Sequence, residues 1–233
     1  MLKAILFDLD GTLLPITPEV FAKAYFTALY SELAPYGFEK DSFIKAMWAG
    51  IDAMKKNDGK RKNEEAFWDS FEKVVGRNMK ELDGVLKAFY ENKFDGLQSV
   101  CGKKDEVGAL IKRLKRKYRL VLATNPVFPM AAQVSRLKWT GSDPADFEYI
   151  TSFENSSFCK PKAEYYESIL QKLNLHGEEC IMVGNDVGED MPAAEVGMKV
   201  FLLPEFIINT ENADISKYPS GDYGDLEKYI ETL

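Results

Sequence analysis

The sequence predicts an α/β protein: a doubly wound parallel sheet interrupted by an inserted block of helices. Three observations predict it. Four short, continuous apolar runs end in polar loops; stretches with helical spacing lie between them; and from about residue 15 to about residue 95 the periodicity is helical alone.

The first run, Ala4-Ile5-Leu6-Phe7, is stopped by Asp8-Leu9-Asp10-Gly11-Thr12. A run without alternation reads as a strand buried on both faces that enters a loop. The helical block follows. Thr17-Pro18-Glu19 opens a helix with Thr17 as cap and Pro18 in the first turn, carrying Phe21, Ala24, Ala28 and Leu29 and ending before Pro35 or Gly37. Asp41 and Ser42 open a second helix with Phe43, Ala46 and Met47, and amphipathic stretches cover about Glu64 to Val75 and Met79 to Asn92.

Strand and helix then alternate. Val107, Leu110, Ile111 and Leu114 mark a helix before the run Leu120-Val121-Leu122-Ala123, which ends in Thr124-Asn125-Pro126. Tyr166, Ile169, Leu170 and Leu173 mark another before Ile181-Met182-Val183 and Gly184-Asn185-Asp186. Val200-Phe201-Leu202-Leu203 is the last run, and a closing helix covers about Asp225 to Thr232. This order implies parallel strands joined by right-handed crossovers. The expected division is an α/β core of residues 1–14 and 96–233, with a helical cap of residues 15–95 able to close over the carboxyl ends of the strands, where ligands of open sheets collect.

Composition narrows the function. Among 233 residues, 30 Lys and Arg face 37 Asp and Glu, a formal charge of −7, which argues against phosphate-backbone binding. No apolar run reaches the roughly 18 residues of a membrane helix, and the start turns acidic too soon for a signal peptide. Cys101, Cys159 and Cys180 are too few and too scattered for a disulfide framework or zinc site, which fits a reducing cytoplasm. His176 is the only histidine, so the chemistry falls to carboxylates, hydroxyls, amides and lysines.

Those groups gather at the predicted strand ends. Asp8 and Asp10 both face the crevice while Leu9 points back toward the core. Two carboxylates so close repel unless a proton or a cation lies between them, and an oxygen-only ligand set suits Mg²⁺. Thr124 and Asn125 offer a hydroxyl, an amide and backbone N–H groups to phosphate oxygens. Lys160 offers a point charge, and Pro161 suits the first turn of the helix that follows. The loop from Gly184 to Asp190 adds further hard oxygens. Together they describe a cation-assisted site for a phosphate dianion.

Asp8-Leu9-Asp10-Gly11-Thr12, Thr124-Asn125, Lys160-Pro161 and the Gly184 to Asp190 loop resemble, in order and spacing, the four motifs of the haloacid dehalogenase-like hydrolase superfamily, and the insert resembles its first class of helical cap. The resemblance implies a Rossmann-like core, Asp8 as nucleophile, Asp10 as general acid and then base, and Lys160 offsetting charge on the phosphoryl oxygens and Asp8. It further implies that Thr124, the Asn125 backbone and Leu9 hold the phosphoryl group, and that Mg²⁺ meets the Asp8 side chain, the Asp10 carbonyl and the fourth motif. In that motif, where many relatives have Gly-Asp, Asn185 precedes Asp186. Either Asn185 supplies a neutral ligand, or Asp186 coordinates with Asp190 acting through water; the second charge favours Asp186. Relatives acting on haloacids or phosphonates are expected to lack an acid at the place of Asp10. The expected function is therefore Mg²⁺-dependent hydrolysis of a small phosphorylated metabolite through an aspartyl-phosphate. The alternatives are a phosphomutase and a catalytically silent binder of phosphorylated ligands.

Other features read as structural. Lys55-Lys56 and Lys60-Arg61-Lys62 are expected to be a solvated connection rather than a basic lip. Trp48, Trp68, Phe43, Phe67 and Phe71 are expected in the insert's core, with Phe21, Tyr25 and Trp48 as candidate pocket walls. Cys159 is expected to be an inert thiol, and His176 structural.

Overall fold

β1 (Ala4–Phe7) is buried along its whole length because it is the central strand of the sheet in the computed structural model, which describes residues 1–233. It pairs in parallel with β2 (Arg119–Leu122) on one side and β4 (Cys180–Gly184) on the other. Beyond them lie β3 (Tyr149–Ile150) and β5 (Lys199–Leu202), giving the order β3-β2-β1-β4-β5. The chain fills one half of the sheet and then crosses to the other. The crevice so created lies beyond the carboxyl ends of β1 and β4.

Register decides what meets there. Phe7 lies opposite both Leu122 and Val183, so Asp8, Thr124 and Asn185 leave the sheet at one rim. Alternation along β1 sends Ile5 and Phe7 into one apolar layer and Ala4 and Leu6 into the other. The first layer runs on without a break into the inserted helices: Phe94 stacks on Trp139 with ring centres 5.4 Å apart, and Phe21 meets both rings edge-on.

The insert consists of α1 (Pro18–Leu33), α2 (Lys40–Lys55), α3 (Asn63–Val75) and α4 (Asp83–Asn92). Thr17 holds the cap position of α1, although its hydroxyl makes no capping bond. The chain leaves α1 through a short turn ending at Gly37, whose φ of +84° is the left-handed conformation that favours glycine. The predicted helix from Met79 divides into a tight turn at Met79–Leu82 and α4. In the core, α5 (Glu106–Lys115), α6 (Met130–Trp139), α7 (Ala163–Leu173) and α8 (Tyr223–Ile230) cover the sheet. No helix is long and apolar enough to cross a membrane.

Several expectations change. β3 has two residues, too few to show a pattern. Sequence periodicity also misses α6, because its buried face includes Gln133 and Arg136. Pro161 is not in the first turn of α7, which begins at Ala163 after a cis Lys160–Pro161 bond. Trp48 is not core: it is 53% exposed. The basic stretch stays solvated as expected: Lys56 pairs with Asp52, Lys60 with Asp58, Arg61 with Asp69 and Lys55 with Glu189, and all four basic side chains remain exposed. Asn63 fastens it to the core by donating from its backbone to the Ser156 carbonyl and from its side chain to the Pro126 carbonyl.

Candidate active site

A cavity of about 590 Å³ opens between the carboxyl rim of the sheet and the inserted helices. Asp8, Asp10, Thr124, Asn125, Asn185 and Asp186 all line it, and so do Glu189 and Asp190. Lys160 lies behind this wall, almost fully buried.

The first loop is built on backbone geometry. The Leu9 carbonyl accepts from the N–H groups of Thr12, Leu13 and Leu14, while Gly11 turns the chain at a φ of +82°. A Cβ on Gly11 would sit 2.4 Å from the Asn185 side chain, so the first and last loops touch only because this residue is glycine. The Leu9 side chain is fully buried and its carbonyl is spent on the turn, which leaves its N–H as the group that a ligand could meet.

Lys160 joins the first loop to the last. Its ammonium donates to Asp8 Oδ1 at 2.9 Å and to Asp190 Oδ1 at 2.6 Å. Burial disfavours the ammonium, but Asp190 and Asp8 outweigh it and hold the Lys160 pKa well above that of an ordinary lysine. Burial, opposed by Lys160 and reinforced by the charge of Asp8, pushes the Asp190 carboxyl up to about 7. Asp190 Oδ2 accepts from the Asp186 N–H at 2.9 Å. That approach needs Gly184, where a Cβ would fall 2.0 Å from the same oxygen.

The remaining fourth-motif residues have different tasks. Asn185 is buried; its Oδ1 accepts from the Thr12 hydroxyl at 2.8 Å and its Nδ2 donates to the Phe206 carbonyl at 2.7 Å, so it ties loops together. Asp186 spends Oδ1 on the N–H groups of Gly188 and Glu189. Asn125 donates its amide to Glu189 Oε2 at 2.8 Å, leaving its Oδ1 buried without a partner. The Thr124 carbonyl accepts from the hydroxyls of Thr151 and Tyr165, which fixes the end of β2.

Arg136 is the residue that sequence reading missed. It is fully buried, its guanidinium lies 4.2 Å from the centre of the Phe128 ring, and it donates to Asp10 Oδ2 at 2.5 Å. The other Asp10 oxygen, also buried, accepts nothing. Burial raises the Asp10 pKa, Arg136 pulls it down, and Asp8 adds to the rise. The available signal was an arginine and a glutamine at apolar spacing within Ala132, Gln133, Arg136 and Leu137. Glu189, expected only as part of the Gly184 to Asp190 loop, accepts from Asn125 and faces Lys55. Cys159 is buried and hydrogen-bonded to Asn63, and burial pushes its thiol up to about 12, too high for a nucleophile at neutral pH.

No cluster of three or more His, Cys, Asp or Glu side chains is placed to hold a metal ion. Mg²⁺ does not require one, since it keeps several waters and takes one or two carboxylates. Asp8 and Asp190 converge on one ammonium, the acidic residues of the wall outnumber its cations, and an Asp10 oxygen lacks a partner. This donor set fits a hard divalent cation.

Residues 2–197 match the family of haloacid dehalogenase-like hydrolases. The chain belongs to that family. Structures of several haloacid dehalogenase-like proteins share its fold. A 2-haloacid dehalogenase from Pseudomonas syringae pv. tomato DC3000 is 18% identical with a TM-score of 0.68, covering 100% of this chain and 99% of its own. A HAD phosphatase from Thermococcus onnurineus is 20% identical with a TM-score of 0.61, covering 98% of each chain. The putative HAD-hydrolase YfnB from Bacillus subtilis, bound to magnesium, is 18% identical with a TM-score of 0.57, covering 100% of this chain and 99% of its own. A search of the curated proteins found no match.

Proposed function

We propose that this hydrolase cleaves a phosphate monoester by way of a phosphoryl group carried on Asp8, with Mg²⁺ as cofactor. The observation that carries the reading is the pair of carboxylates in one cavity wall: Asp8, oriented by Lys160, and Asp10, held by Arg136 with one oxygen unpartnered.

The steps follow from these positions. A carboxylate oxygen of Asp8 attacks phosphorus, and the bond from phosphorus to the ester oxygen breaks. Asp10 delivers its proton to that oxygen, so the alcohol leaves neutral. Asp10, now ionised, takes a proton from water; the water oxygen attacks phosphorus and the Asp8 carboxylate is released with inorganic phosphate. Lys160 offsets negative charge on the phosphoryl oxygens, while the Leu9 N–H and the Thr124 hydroxyl are available to hold them. Bound Mg²⁺, meeting Asp8, the Asp10 carbonyl and the fourth motif, would lower the repulsion between a dianionic substrate and a wall rich in carboxylates. Within the fourth motif, Asp190 and the free oxygen of Asp186 are the charged candidates, and Asn185 is occupied elsewhere.

A haloacid substrate makes no use of Asp10 as an acid, because halide departs without a proton. The test is phosphate release from para-nitrophenyl phosphate, expected with Mg²⁺ and lost on chelation. Asp10→Asn is expected to lower kcat by about 10²- to 10⁴-fold. Chloride release from 2-chloropropionate without phosphatase activity would reverse the assignment.

Arg136 makes a separate expectation available. Its positive charge lowers the Asp10 pKa, so Arg136→Gln should let Asp10 keep its proton to higher pH. The general acid must be protonated in the free enzyme, so the alkaline limb of the kcat/KM profile is expected to move to higher pH. A limb that stays in place while kcat falls would show that Arg136 acts on structure alone.

A further inference from the structure

The cavity is far larger than a phosphate requires, and its character changes with distance from Asp8. Near the sheet its wall is carboxylate, amide and hydroxyl. Toward the inserted helices it becomes Phe26, Leu29, Met47, Trp48, Ile51 and Leu86. The hydroxyls on that part of the lining belong to Tyr25 and Tyr90, which bond to each other at 2.7 Å, so one of their two O–H donors is already spent. The cations on the lining are Lys23 and Lys55, and Lys55 faces Glu189 at 3.6 Å. A polyhydroxylated leaving group would lose water hydrogen bonds against ring faces and methyl groups that return none.

Trp48 adds an independent observation. It is the largest apolar side chain left half exposed, at 53%, and it packs edge-on against Phe26 with ring centres 5.2 Å apart. An exposed indole beside a buried aromatic wall is a surface that an apolar ligand would cover.

The geometry points to a leaving-group pocket for an apolar alcohol: we infer that the substrate is a phosphate monoester of an alkyl or aryl alcohol, not of a sugar or a small polyol. This rests on the phosphatase reading above and adds to it the identity of the organic half. In the first displacement the bond from phosphorus to the alkoxy oxygen breaks, Asp10 supplies the proton, and the neutral alcohol remains among the aromatic side chains until it diffuses out.

The experiment measures kcat/KM for phosphate release from methyl, butyl and hexyl phosphate, 1-naphthyl phosphate and glucose 6-phosphate, using the full chain with Mg²⁺. The expected result is a rise of about three- to fourfold per added methylene, with glucose 6-phosphate falling below butyl phosphate. Trp48→Ala and Ile51→Asn, both at partly exposed positions, are expected to lower the hexyl-to-methyl ratio by roughly tenfold. A flat alkyl series, or glucose 6-phosphate preferred over hexyl phosphate, overturns the apolar pocket while leaving the phosphatase reading intact. Absence of phosphate release from every ester overturns both. The wild-type series decides the matter even if a variant fails to fold.

Discussion

Asp8→Asn is expected to reduce phosphate release by about 10⁵- to 10⁶-fold, the scale seen when a nucleophile is removed from a preorganised site. The substitution keeps the shape of the side chain, and its remaining oxygen still accepts from Lys160, so the loop should hold its form. What disappears is the negative oxygen that must bond to phosphorus. Wild-type protein quenched during turnover of a ³²P-labelled ester should carry label that hydroxylamine removes, as an acyl phosphate requires, and the Asp8→Asn protein should carry none. A variant that keeps a tenth of the wild-type rate would move the nucleophile elsewhere.

The second large effect is on stability. Lys160→Met removes the one cation between two buried carboxylates, Asp8 and Asp190. Leaving such charges without a partner costs about 3–5 kcal/mol, measurable by urea unfolding at pH 9 without divalent cations. The sign of its pH dependence follows from the same groups. Burial already pushes the Asp190 carboxyl up to about 7 with Lys160 in place, and loss of the ammonium that opposes this pushes it higher, so the added penalty is present while Asp190 is ionised. It is relieved as pH falls through the raised values. The gap between variant and wild type is therefore expected to narrow as pH falls from about 9 toward about 7, where Asp190 takes up its proton in the wild type as well. A gap that is constant across this range would mean that lost packing, not charge, sets the cost.

The parts of the site that were legible in the sequence share one property: they lie where a short apolar run stops. Ala4–Phe7 followed by Asp8 and Asp10, and Ile181–Val183 followed by the fourth-motif loop, are local patterns, and parallel register then places them at one rim without further information. Arg136 was not legible because its meaning depends on how α6 lies across the first loop, and a charged residue on an apolar helical face gives no hint of its partner until the helix is docked. Trp48 misled for a related reason. Helical spacing tells which aromatics share a face of α2, whereas whether that face meets protein or a void depends on the packing of α1 against it. The division of labour within the last loop was equally hidden, since it depends on the contact of Asn185 with Gly11 and Thr12 across the whole chain.

The aromatic stack of Phe21, Phe94 and Trp139 and the amide knot at Asn63 anchor the inserted helices to the sheet at two separate places. The insert is therefore not a detachable module. Exchanging residues 15–95 for those of a relative would strand Trp139 and Phe128 against foreign surfaces, and a transplanted insert would need matched changes on both sides of that seam.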